Sequence, residues 1–370
     1  MPVPLLDLKA QHATIRDDVV SAMMGVVDAQ TFILGEPVAA LEKMVAELSQ
    51  TRHAIGCANG TDAILLALRA LDIAPGDEVV TTPFTFFATA GAVHNVGGRP
   101  VFVDIDPKTF NIAPDAVAAA INGKSKAVIA VDLFGQMAPI EQIVQAAGGV
   151  KVIEDAAQTI GASRVIDGKR VMAGEGADIG TFSFFPSKNL GGYGDGGMMV
   201  CQDAGLFDTL MKLRTHGSRK TYYHEIVGYN SRLDTLQAAV LLAKLPHLEQ
   251  WSSRRRENAA FYDAAFADVD GITTPFVDAA NTSIYNQYTI RTTKRDALQA
   301  HLKEKGIGHA VYYPMPLHLQ ACFAYLDYRE GQCPESERAS KEVLSLPVYP
   351  ELTRAQLDEV VSAVRSFFGQ

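Results

Sequence analysis

The chain has 370 residues, 48% of them hydrophobic and 20% charged, with a formal net charge of −9 at pH 7. That balance excludes a disordered or low-complexity chain, and the length exceeds what one compact core usually holds, so a large domain with a smaller partner is expected. An acidic surface repels nucleic acid and anionic membrane, and no apolar run approaches the roughly 18 residues a membrane helix needs.

Cys57, Cys201, Cys322 and Cys333 form no Cys-x-x-Cys pair and no disulfide framework. The stretch from Met1 to Lys9 has neither a basic region nor an apolar core before a cleavage site, so a cytoplasmic enzyme is expected. Residues 1–50 read as a helical segment that packs on the other domain or on a partner subunit.

From 51 to about 250 a larger domain is expected. Short β-rich apolar runs at 53–58, 78–82, 100–104, 127–133 and 151–154 alternate with amphipathic stretches such as 62–71. Runs at 179–185 and 198–201 flank a glycine-rich turn, which brings the strands to seven. Alternation of this kind implies an α/β domain, its mostly parallel sheet covered by helices, with ligands at the carboxyl ends of the strands. A long helical region at 232–266 is interrupted near Pro246. The last part, 251–370, reads as a smaller α+β domain: a strand at 285–293, a helix at 294–305, a strand at 308–313, a proline-rich loop and a final helix at 354–368.

Several motifs fail on context. Gly192-Tyr193-Gly194-Asp195-Gly196-Gly197 satisfies G-x-G-x-x-G, but the following Met198–Cys201 run continues as a strand where a dinucleotide site needs a helix. Gly123-Lys124-Ser125 lacks the upstream glycine of a phosphate loop, His224-Glu225 lacks a second histidine, and no metal is expected. Asn59-Gly60-Thr61-Asp62 lies between a strand and a helix, where free N–H groups and the Thr61 hydroxyl suit an anion. Asp155, in Glu154-Asp155-Ala156-Ala157-Gln158, stands at a strand's carboxyl end. Lys188 sits among the aromatics, proline and glycine of Phe182–Gly191; desolvation there lowers an amine's pKa and makes it a nucleophile. Each residue alone has a bland structural reading. Together they are an anchor, a pyridinium partner and a Schiff-base amine, which is what pyridoxal phosphate requires.

On these motifs, and on Gly228-Tyr229-Asn230-Ser231-Arg232-Leu233-Asp234, the chain resembles the DegT/DnrJ/EryC1/StrS family of pyridoxal-phosphate sugar aminotransferases essentially end to end. The resemblance implies an aspartate-aminotransferase-like (fold type I) large domain and a ping-pong transfer from glutamate to a nucleotide-linked keto sugar, the cofactor cycling through pyridoxamine phosphate. It matches Lys188 to the Schiff-base lysine, Asp155 to the partner of the pyridine nitrogen and Gln158 to the glutamine beside the phenolic oxygen. Phe86 falls where the family stacks an aromatic ring on the cofactor. Gly60, Thr61 and Ser183 match phosphate-binding positions, and Asn230 matches an asparagine reaching the neighbouring subunit's phosphate, which implies a homodimer with shared sites. Arg232 and Tyr313 match substrate positions.

Within the family the chain is most similar to the branch that aminates UDP-2-acetamido-2-deoxy-3-oxo-glucuronate, with Tyr312 in place of that branch's histidine. A dTDP-3-oxo-6-deoxyhexose and 4-oxo sugars are the alternative acceptors. Lys188 argues against a sugar dehydratase, whose relatives carry histidine there, and Lys188, Asp155 and Gln158 together argue against a regulator without catalysis.

Overall fold

A computed structural model of the chain describes residues 2–369. Helices α1 (Leu8–Ala29) and α2 (Glu36–Leu48) precede β1 (His53–Cys57), α3 (Gly60–Ala70), β2 (Glu78–Thr81), α4 (Ala88–Asn95) and β3 (Arg99–Phe102). Then follow α5 (Pro114–Ala120), β4 (Ser125–Val131), α6 (Ile140–Ala146), β5 (Lys151–Asp155), β6 (Ser163–Ile166), β7 (Lys169–Met172), β8 (Ile179–Ser183) and β9 (Gly197–Cys201). Helix α7 (Ala204–Leu213), a small hairpin of β10 (Ser218–Lys220) and β11 (Tyr223–His224), α8 (Thr235–Lys244) and α9 (Leu248–Phe266) lead to the C-terminal part. That part holds β12 (Asn281–Thr282), β13 (Tyr288–Arg291), α10 (Arg295–Glu304), α11 (Pro334–Glu342), β14 (Val343–Leu346) and α12 (Arg354–Phe367).

Seven strands form the main sheet in the order β1-β9-β8-β5-β4-β2-β3. The pairs β8·β5, β5·β4, β4·β2 and β2·β3 are parallel, and β9 alone runs against both of its neighbours. Strand alternation sends side chains to two apolar layers. Val80, Val128, Val152 and Val200 join one layer with Leu41 and Val45 of α2. Val79, Ile129, Ile153 and Met199 join the other with α3 and α7. The expected α/β class and mostly parallel sheet are what the molecule has, with strand ends moved by a residue or two.

The C-terminal part has its own core, in which Tyr288, Ile290, Leu344 and Leu346 of the β13–β14 pair meet Tyr262 of α9 and Val360 and Val364 of α12. The strand expected at 308–313 is absent: only Ala310 makes a bridge, to Ser345. Tyr313 is instead drawn away to Gln158, Pro314 follows with no N–H to donate, and β14 takes the place beside β13. The proline-rich loop also conceals α11. Strands β6 and β7 were not expected either, although Asp167-Gly168 between apolar runs is a hairpin signal, and both residues have the positive φ (50° and 75°) that a two-residue turn needs.

The N-terminal segment divides its contacts. Val3 bridges to Ile307, whereas Ile15 and Val19 of α1 pack on Val240 of α8 and on Trp251, and α2 enters the main core. No helix among the described residues is long and apolar enough to cross a membrane.

Candidate active site

Parallel strands end on one side of the sheet, and the candidate residues gather there. Asp155 is the last residue of β5 and Ser183 the last of β8. Asp155 is 5% exposed; its Oδ2 accepts the Thr89 hydroxyl at 2.8 Å and its Oδ1 accepts the Ala157 N–H at 3.3 Å. Burial pushes its carboxyl above the ordinary carboxylate value, while those two donors and the charge of Lys188 pull it down.

Lys188 lies in a tight loop closed by Lys188 N–H to Phe185 O and Gly192 N–H to Phe184 O, each 2.8 Å. Its side chain is half-buried. Burial lowers the amine to about 8, and the one charge acting against that shift is Asp155. The result is an ammonium that gives up its proton more readily than a free lysine does.

Helix α3 begins against Ser183, at the end of β8 next to the strand that carries Asp155. Asn59 caps it by accepting the Asp62 N–H at 2.8 Å, which leaves the N–H groups of Gly60 and Thr61 without an acceptor among the described residues. Gly60 lies so close to Ser183 that an added Cβ would stand 2.6 Å from Ser183 Cβ. Two outward N–H groups with the Thr61 and Ser183 side chains beside them make a cradle for an anion at a helix N-terminus. Ser231 braces the rim, donating to Asp62 Oδ2 at 2.7 Å and accepting from Ala58 N–H at 3.3 Å.

Gln158 is 8% exposed; its Oε1 accepts the Phe134 N–H at 2.7 Å and its Nε2 donates to Tyr313 Oη at 3.3 Å. Phe86 is 59% exposed, with its ring 6.4 Å from that of Tyr313. Asp155, Gln158, Lys188, Phe86, Tyr313 and the α3 cradle thus come together in one chain. Asn230 does not join them: it is exposed and bridged to Thr215, on the rim from which Ser231 turns inward. Arg232 is partly buried, and its Nε is buried without a hydrogen-bond partner among the described residues. Sequence reasoning missed Thr85 and Thr89, whose spacing of four across the helix start aligns their hydroxyls 3.0 Å apart. It also missed Tyr313 as the partner of Gln158, for which no local signal exists.

A parallel-sheet domain with a half-buried lysine, a strand-end aspartate and a helix-terminal anion cradle defines the class of enzymes that work through a phosphorylated aldehyde cofactor. Comparison gives the family. The profile of the DegT/DnrJ/EryC1/StrS aminotransferase family matches residues 13–365, and the chain belongs to it. The chain is 50% identical to the pleiotropic regulatory protein of Geobacillus stearothermophilus (100% of this chain, 99% of that one). It is 45% identical to the UDP-N-acetyl-3-dehydro-alpha-D-glucosamine 3-aminotransferase of Acidithiobacillus ferrooxidans (98% and 97%). Identity is 42% to the UDP-2-acetamido-2-deoxy-3-oxo-D-glucuronate aminotransferase of Pseudomonas aeruginosa (98% and 99%). Among solved structures, DesV of Streptomyces venezuelae in complex with a ketimine intermediate superposes with a TM-score of 0.96 at 39% identity, covering 100% of this chain and 99% of that one. NtdA of Bacillus subtilis with bound pyridoxamine phosphate gives 0.92 at 32%, covering 100% and 86%. The protein is an aminotransferase of a pyridoxal-phosphate-dependent family.

Proposed function

We propose that this chain transfers an amino group from glutamate to C3 of a UDP-linked 2-acetamido-2-deoxy-3-oxo sugar, with the glucuronate as acceptor, in a ping-pong cycle. The observation that carries the reading is Lys188: a half-buried amine with a pKa of about 8, set against Asp155 at the strand ends and beside a helix N-terminus. The residues fit pyridoxal phosphate. Gly60, Thr61 and Ser183 would hold its phosphate, Phe86 its ring face, Asp155 its pyridine nitrogen, Gln158 its phenolic oxygen and Lys188 its aldehyde carbon. When bound, the cofactor supplies an electron sink for the carbon that loses its proton.

The protein's own part is electrostatic and positional. Asp155, oriented by Thr89, would face the ring nitrogen, and its carboxylate would favour the protonated ring. Lys188 Nζ, lowered to about 8 by burial, would act as the base that takes the proton from the α-carbon of glutamate and delivers it on the other side of the transferred nitrogen. Gln158 and Tyr313 hold the opposite flank of the site.

We further propose a homodimer with shared sites. The rim of the candidate site is exposed in a single copy, with Phe86 59% open to solvent. Around it Phe86, Phe87 and Phe185 are exposed, as are Tyr222, Tyr223 and Val227 of the β10–β11 hairpin region. Helix α1 turns Val20, Met24 and Val27, spaced along one face, to solvent. Exposed apolar surface of this extent suits a second copy, which would bring Asn230 to the cradle.

Arg232, with no partner on its Nε, supports a carboxylate in the acceptor. The relative at 45% identity, named for a neutral 3-dehydro-glucosamine, supports that sugar as the second reading. The test is an amination panel: UDP-, dTDP- and GDP-linked 3-oxo and 4-oxo sugars with glutamate, the products identified by mass and NMR. C3 amination of a UDP-linked sugar is the expected result; amination only of 4-oxo or dTDP-linked sugars would overturn the assignment.

A further inference from the structure

One short segment, residues 283–287 leading into β13, reaches both flanks of the site. On the Gln158 side, Ile284 N–H and Ser283 Oγ each donate to Gly135 O at 2.9 Å, and Gln287 N–H donates to Phe134 O at 3.3 Å. Phe134 in turn gives its N–H to Gln158. Only glycine permits this approach at 135: φ is 107°, and an added Cβ would stand 2.6 Å from Asn286 N.

On the Lys188 side the link is an amide pair. Asn189, 5% exposed, donates Nδ2 to Ile284 O at 3.0 Å and accepts Asn286 Nδ2 on its Oδ1 at 2.8 Å. Arg255 of α9, 4% exposed, holds the segment from behind, donating Nη1 to Tyr285 O at 3.1 Å and to Asn286 O at 3.3 Å. Asn286 Oδ1 is buried with no hydrogen bond among the described residues. Buried acceptors are rarely left unpaired. Here the cost is tolerated in an amide whose NH₂ group is spent on the residue next to Lys188.

We propose that Asn189 and Asn286 are positioning residues: their amide pair fixes the main chain directly after Lys188 and so sets where Lys188 Nζ stands relative to Asp155. The inference rests on the reading of Lys188 given above. It adds that the segment entering the C-terminal part, and not the catalytic loop by itself, determines the lysine's place. Proton transfer is steeply sensitive to such placement, so loss of the pair acts on the chemical step more than on binding.

The test uses full-length Asn189→Ala, Asn286→Ala and the double variant, together with Asn286→Asp, which keeps the shape but has no proton to give. Lys188 in the cofactor-free protein is labelled with acetic anhydride across a pH series, and its peptide is quantified by mass spectrometry. The wild-type midpoint is expected near 8. In Asn286→Ala and Asn286→Asp water reaches the loosened loop, and the midpoint rises by roughly one unit toward the free-lysine value. In the loaded enzyme kcat falls ~10-fold while KM for glutamate stays within about two-fold. The double variant matches Asn189→Ala, because Asn286 acts through Asn189. An unchanged midpoint in the folded variants, or single effects that simply add, would overturn the proposal. If borohydride reduction of the wild type leaves no cofactor on Lys188, the functional reading fails, and the labelling series still decides the positioning.

Discussion

Thr89 donates its hydroxyl to Asp155 Oδ2 across 2.8 Å, so the start of α4 and the end of β5 are joined at a carboxylate of the site. Thr89 Oγ1 is also 3.0 Å from Thr85 Oγ1, which places the turn carrying Phe86 in the same network. A hydrogen bond to an ionised group that is buried is worth about 1.5–3 kcal/mol. Thr89→Val therefore frees Asp155 to take up a proton and weakens its hold on a ring nitrogen. We expect kcat to fall by roughly 10- to 100-fold, with Thr89→Ser close to wild type, by steady-state kinetics.

Lys188→Ala should abolish turnover and leave the fold intact by circular dichroism. Asp155→Asn should lower the Lys188 labelling midpoint below about 8, because the Asp155 charge is what raises that amine against burial. It should also slow both half-reactions. An upward shift of the midpoint would contradict the pairing.

Asp132 and Glu154 form a buried carboxyl pair on the strands behind the site. Asp132 accepts the Ala138 N–H at 2.7 Å and the Thr159 hydroxyl at 2.9 Å, and it meets Glu154 carboxyl to carboxyl. Burial raises both, and each stands near the other's charge or proton, with Glu175 adding to the rise at Glu154. Unfolded carboxyls titrate near ~4, so the folded chain binds a proton that the unfolded chain releases. The pair's contribution to stability is complete below ~4 and is lost as pH rises through the folded value. Glu154→Gln mimics the protonated partner. Denaturant unfolding at several pH values should show a stability decline in the wild type that is flatter in the variant; parallel slopes would refute the shared proton.

If sites are shared, a heterodimer of Lys188→Ala with Asn230→Ala pairs one intact site with one doubly damaged site. Its activity, measured on tag-purified mixed dimers, should approach half of wild type and exceed that of either mutant homodimer. Activity no higher than the better homodimer would place Asn230 outside its partner's cradle.

Arg232→Lys keeps a charge and loses the planar fork. For a uronate acceptor KM should rise roughly 10-fold, equivalent to ~1.4 kcal/mol, with the glutamate half-reaction unchanged in single-turnover assays. Equal turnover of uronate and neutral 3-oxo sugars by the wild type would remove the carboxylate role.

The sheet and the site were legible in the sequence to different depths. Runs of valine and isoleucine at 78–82, 127–133 and 151–154 mark the central strands because each is apolar on both faces, and both faces are covered. Asp155 and Lys188 were legible because a strand end and a glycine- and proline-bounded loop are local features. By contrast, the segment 308–313 has the composition of a strand, but Tyr313 bonds to Gln158, 155 residues away, and β14 takes the place beside β13. The Asn189–Asn286 pair spans 97 residues and the Thr89–Asp155 bond 66. By itself the sequence determined the strands of the main sheet, the faces they bury and the local settings of Asp155 and Lys188, since all of these depend on neighbours within a few turns of chain. Only the tertiary structure decided how those groups are held, because the partners that orient Asp155, Gln158 and the Lys188 loop come from segments whose approach depends on sheet order and on the docking of the C-terminal part.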